Sequence, residues 1–137
     1  MKGKMFSLIL IMFIILCLSG CGTKKSSDVK VINSDMLGKN ELYEITAKET
    51  KYTAQRWEEM TSLKYSLEIK KDNTAEIIKA SDTKDMEYYS FDKKYFYKKD
   101  RNGSDDGKKI FSYEFENDTL KLSMLDGKYN NVYVYKK

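Results

Sequence analysis

Few residues in this chain could do covalent or metal chemistry, and their scarcity narrows the field. The 137 residues include no His, no Pro and only two Cys, Cys17 and Cys21. Nucleophilic catalysis needs an activating base, most often His. Zinc, copper and haem sites draw on His and Cys. Both classes are excluded if Cys21 is consumed in the way argued below. Carboxylates, lysines and hydroxyls remain. Glu58 and Glu59 are neighbours in a predicted helix, where consecutive side chains do not face each other. Asp105 and Asp106 fall in a predicted loop and are expected to be solvated. Ser–Lys pairs are conceivable, but with 25 Lys+Arg in the chain their adjacency carries no signal. The run from Asp100 to Gly107 invites a calcium reading. An EF-hand register started at Asp100 puts Asp105 at the glycine position and Phe111 at the bidentate glutamate. Started at Asn102, it places Gly107 correctly but Tyr113 last. Both registers fail, so the expectation is a hairpin loop, no metal, no bound cofactor and no catalysis.

Aromatic density is the stronger signal. Tyr88, Tyr89, Phe91, Tyr95, Phe96 and Tyr97 crowd into ten residues. On strands they must divide between two faces. One reading is that Tyr suits strands and tolerates half-exposure. The other is an aromatic face for a sugar, peptide or protein partner. Tyr89, Phe91 and Phe96 are the candidate ligand-binding residues.

The N-terminus carries the one definite piece of chemistry. Met1 to Lys4 is basic and Met5 to Leu18 almost wholly apolar. Fourteen helical residues span about 21 Å, short of the ~30 Å hydrocarbon core of a bilayer. A basic start, a short apolar core and small residues after it match an export signal. The segment ends Leu18-Ser19-Gly20-Cys21, which resembles the lipobox of bacterial lipoproteins at all four positions. That resemblance implies recognition of Leu18, Ser19 and Gly20 by a lipoprotein signal peptidase. It further implies cleavage before Cys21 and a diacylglycerol on the Cys21 sulfur. Two acyl chains anchor stably where one does not. The alternative is an ordinary secreted protein with a chance Cys at that place.

Removing residues 1–20 takes Lys2 and Lys4 and leaves 23 basic against 21 acidic side chains. A net +2 with signs interspersed does not suggest nucleic acid. With one Cys left, an intramolecular disulfide is impossible. The expected product is a monomer on the outer face of the cell membrane, held by its lipid. Its partner is an extracellular ligand or protein.

The domain boundaries follow from composition. Residues 1–20 are the signal peptide, 21–37 a polar tether without periodicity, and 38–137 the folded domain. Tyr43, Ile45 and Ala47 alternate as in a half-buried strand. Thr53 can cap a short helix whose Ala54, Trp57 and Met60 share a face. From Lys64 onward the period is two: Tyr65, Leu67 and Ile69; Ala75 to Ile78; Met86 to Phe91; Tyr95 to Tyr97; Phe111, Tyr113 and Phe115; Leu120, Leu122 and Met124; Val132 to Tyr135. Turns fall at Asp72-Asn73, Asp92 to Lys94, Asn117-Asp118 and Asp126-Gly127, with a loop from Asp100 to Lys108. Short strands at such spacing predict a mainly β domain, an antiparallel meander of about eight strands closed into a small barrel.

The order of these parts is similar to that of the small lipocalin-like lipoproteins of Gram-positive, clostridial-type bacteria. The likeness rests on the lipobox, the Trp-bearing helix and Leu67-Glu-Ile-Lys-Lys-Asp72-Asn73-Thr-Ala75, with Asn73 where that family usually has Gly. The tail from Phe115 to Leu122 and from Tyr133 to Lys137 is also alike. The resemblance implies a lipocalin-like barrel and a binding role, and it transfers no functional residue. Against a ligand-binding barrel stands a structural or protective envelope protein whose interior is filled by side chains. About 100 residues favour a mostly filled interior; an enclosed apolar pocket approaching ~300 Å³ would favour a ligand.

Overall fold

The computed structural model describes residues 32–125, 127–128 and 130–137. The signal segment, the Leu18 to Cys21 motif and Asp126 of the last turn lie outside the described residues. The strands are β1 (Gly38–Ala47), β2 (Thr50–Thr53), β3 (Lys64–Ile69), β4 (Thr74–Ala80), β5 (Lys84–Phe91), β6 (Tyr95–Lys99), β7 (Asp105–Glu116), β8 (Thr119–Met124) and β9 (Val132–Lys136). A helix, α1 (Ala54–Thr61), stands between β2 and β3. From β3 to β9 each strand pairs with the next, always antiparallel. The sheet closes where β1 pairs with β9, from Glu41 opposite Lys136 to Thr46 opposite Val132. Eight strands form the barrel, as the alternation predicts. β2 is extra: it folds back on the upper half of β1, from Ala47–Thr50 to Glu44–Thr53. The lower half of β1 pairs with β3.

Local chemistry explains the punctuation. Asn73, Asn117 and Asp118 take left-handed backbone (φ 57°, 50° and 57°) at the predicted turns, conformations that Asn and Asp tolerate better than most residues. Thr53 caps α1 by accepting the Arg56 N–H at 3.2 Å. Ser62, at φ 58°, ends the helix by donating its N–H to the Glu58 carbonyl at 2.8 Å.

Three expectations shift. Tyr43 is 54 % exposed because the β1–β9 register slips between Leu42 and Glu44. This bulge turns Tyr43 outward while Leu42 and Ile45 stay buried. Met60 is 50 % exposed. Steps of three residues drift about 60° around a 3.6-residue helix, and the less exposed side is Ala54, Trp57 and Thr61. The loop after β6 is also shorter than expected, because β7 already starts at Asp105 across two register irregularities.

The folded domain reaches further toward the N-terminus than residue 38. Ile32 donates its N–H to Asn73 Oδ1 at 3.0 Å, and a 3-10 turn at Ser34–Met36 sets Met36 in the core at 1 % exposure. Fully buried Asn40 holds this strap by donating Nδ2 to the carbonyls of Met36 (3.3 Å) and Gly38 (3.1 Å). The strap lies at the end of the barrel where β1 starts and β3 ends. Above it Leu42, Leu67, Ile69, Phe91, Phe96, Leu120 and Leu122 fill the interior.

Candidate functional site

The opposite end of the barrel is not filled. Following the alternation up each strand shows why. On β4, Ala75 and Ile77 point inward, so Lys79 does as well; on β5, Phe91 and Tyr89 put Glu87 inside; on β6, Phe96 puts Lys98 inside. Charged side chains cannot complete an apolar plug, and the upper interior opens into a cavity of about 380 Å³. Its walls include Tyr65, Tyr89, Phe111, Tyr133 and Tyr135, with Ile77, Ile110 and Met124 between them. The rings touch in series: Tyr65 and Tyr133 at 6.3 Å between centroids, Tyr133 and Phe111 at 5.9 Å, Phe111 and Tyr89 at 5.6 Å.

The polar groups within this aromatic lining are ordered. Lys79 Nζ donates to Glu87 Oε1 at 3.0 Å, and the Tyr89 hydroxyl donates to Glu87 Oε2 at 2.8 Å. Partial burial works against the charge of Glu87, but the hydrogen bonds from Lys79 and Tyr89 outweigh it and hold its carboxyl below the ordinary range. Burial likewise opposes the charge on Lys79, and Glu87 overcomes it, leaving the ammonium above its usual value. Burial, then the Glu87 charge, pushes the Tyr89 phenol far up, so it stays a hydroxyl donor. Lys98 lies opposite Tyr89, its Nζ 5.3 Å from the ring centroid. Tyr135 is completely buried, and its hydroxyl has no hydrogen-bond partner among the described residues. Such a group costs about 1–3 kcal/mol.

The expected ligand-binding residues separate by depth. Tyr89, Phe91 and Phe96 all point inward and stack together, Phe91 on Phe96 at 5.2 Å and Tyr89 on Phe96 at 6.2 Å. Only Tyr89 lines the cavity; Phe91 and Phe96 belong to the filled half below it. Tyr88, Tyr95 and Tyr97 take the outer face, half-buried. Lys109 Nζ covers the Tyr95 ring at 4.4 Å, and Tyr97 donates its hydroxyl to Asp92 Oδ2 at 2.6 Å. The outer aromatics are thus partly engaged by the protein itself. The mostly filled interior expected from chain length holds for the lower half alone. Lys79, Glu87 and Lys98 were not singled out from sequence. Extending the period-two rule past the last apolar residue of each strand would have found them.

At the loop of Asp100, the hydroxyl of Ser104 donates to both carboxylate oxygens, at 2.9 and 2.8 Å. Asp105 and Asp106 accept the N–H groups of Gly107 and Lys108, each at 2.8 Å. Among the described residues no three metal-ligating side chains converge. No family model, curated protein or solved structure matches this chain.

Proposed function

We propose that this protein is a lipid-anchored extracellular binding protein whose barrel takes a small ligand in its upper cavity, without catalysis. The observation that carries the reading is the cavity of about 380 Å³ lined by five aromatic rings. Ligand sites in general run upward from about 300 Å³ and combine apolar walls with a few polar groups. A side-chain-filled envelope protein has no use for the charged residues that keep this half open. The non-catalytic reading draws on a sequence without His, whose one Cys after residue 20 is assigned to a lipid.

The placement of the strap supports a definite orientation. The chain enters the barrel at Ile32, at the closed end, eleven residues after Cys21. Eleven residues reach at most about 40 Å. In this reading the closed end, where the tether joins the barrel, is turned toward the bilayer and the mouth away from it. Cys21→Ala should move the protein from the membrane fraction to the medium or leave it unprocessed. An unchanged distribution would remove the anchor from the account.

The binding claim is tested with N-phenyl-1-naphthylamine, an uncharged fluorescent probe of suitable size. The wild-type domain should bind it saturably. Ile110→Trp, which places an indole in the cavity, should abolish that binding while the circular dichroism spectrum stays unchanged. Absent binding, or binding indifferent to Ile110→Trp in the folded variant, refutes the cavity as a ligand site.

A further inference from the structure

The cavity's internal pairing leaves an unbalanced remainder, and this remainder has a chemical sign. Both oxygens of Glu87 are taken, one by Lys79 and one by Tyr89, so its charge is spent within the wall. Asp106, at the rim, accepts the backbone N–H of Lys108 through Oδ1. Lys98, by contrast, forms no ion pair among the described residues; its ammonium lies over the face of Tyr89. The Lys98 ammonium can only donate hydrogen bonds. A cationic ligand would find both oxygens of Glu87 occupied and a lysine opposed to it. A ligand carrying negatively charged oxygens would find complementary groups.

We propose that the cavity selects small molecules with an apolar, ring-sized body and an anionic oxygen group, received by Lys98 above Tyr89. This rests on the binding reading above and specifies the class of ligand. Lys98 is the specificity-determining residue: its charge acts on the head group, while the rings act on the body of any ligand. The Lys79–Glu87–Tyr89 chain acts as a fixed part of the wall, offsetting the repulsion of the anion by the Glu87 carboxylate.

The experiment uses two probes that differ by one group. 8-Anilinonaphthalene-1-sulfonate and N-phenyl-1-naphthylamine share the same aromatic body, and only the first carries a sulfonate. Wild type should bind the sulfonate more tightly, with an advantage that shrinks as salt is raised. Lys98→Met keeps the aliphatic stem and removes the charge. It should weaken the sulfonate about tenfold, as expected for loss of one charge-assisted hydrogen bond, and leave the neutral probe within about twofold. Equal affinity of wild type for the two probes overturns the inference while leaving the cavity a binding site. The same conclusion follows if Lys98→Met weakens both probes alike. Failure of both probes to bind, or binding of both that Ile110→Trp does not disturb, overturns the inference and the binding reading together.

Discussion

Glu87 accepts two hydrogen bonds inside the barrel, and this makes its charge a source of pH-dependent stability. Its folded-state pKa lies below the ordinary 4.5, so its contribution is present above that value and is lost as pH falls through the folded-state value. Lys79 lies above its ordinary 10.5, so its contribution is present below that value and disappears as pH rises past its folded-state one. The pair therefore stabilises between these limits. Glu87→Gln should melt at a lower temperature than wild type near neutrality, and the difference should close as pH falls below 4.5 and through the folded-state value. Thermal melts across that range decide it; a difference independent of pH would mean the charge contributes nothing. Tyr135 makes the opposite case. Its hydroxyl is buried without a partner, a cost of roughly 1–3 kcal/mol retained in the free protein. Tyr135→Phe should leave the unfolding free energy unchanged or raise it. A clear loss in urea denaturation would show that the hydroxyl is already satisfied.

At the scale of elements, the chain separates what sequence patterns make legible from what they hide. The strands from β3 to β9 are legible because each keeps strict alternation between Asn- or Asp-bearing turns. Asn73 also shows why it can stand in place of Gly: it takes the left-handed conformation and uses its side chain to hold Ile32. β1 hides its register behind the bulge at Tyr43, which no local pattern announces. The strap of residues 32–37 reads as polar and aperiodic, yet Met36 supplies a core contact that only the tertiary structure defines. The charged wall was missed for a related reason. An inward Lys, Glu or Lys at a strand end looks like the start of a loop until the barrel is closed around it. The β1–β2 hairpin was invisible because its turn residues, Lys48 and Glu49, are poor at the left-handed conformations they adopt (φ 49° and 66°). Left-handed backbone costs such residues about 1 kcal/mol each, and Asn-Gly is the favoured pair for a two-residue hairpin. Lys48→Asn with Glu49→Gly should therefore stabilise the domain by about 1 kcal/mol or more, measured by chemical denaturation. A loss would indicate contacts of the native pair that outweigh the strain.

The whole molecule is a barrel divided along its axis. The lower half is sealed by the strap and packed with Phe91, Phe96 and aliphatic side chains; the upper half is held open by inward charges and ringed by tyrosines. Stability is concentrated at one end and binding chemistry at the other. The chain joins the barrel at the sealed end, so the lipid proposed on Cys21 would hold the molecule without obstructing the mouth. The cavity also changes the standing of the aromatic residues that stand out in the sequence. The rings of the cavity are inward ones from four strands, contributed by residues as distant as Tyr65 and Tyr135, while Tyr88, Tyr95 and Tyr97 lie on the outer face. The most direct test of this claim is an amide chemical-shift titration of the labelled domain with N-phenyl-1-naphthylamine. The account predicts saturable shifts centred on Ile77, Tyr89, Ile110 and Tyr133 at the upper interior, with Phe91 and the strap undisturbed. Shifts centred on Tyr88, Tyr95 and Tyr97 would place the ligand on the outer face and contradict it.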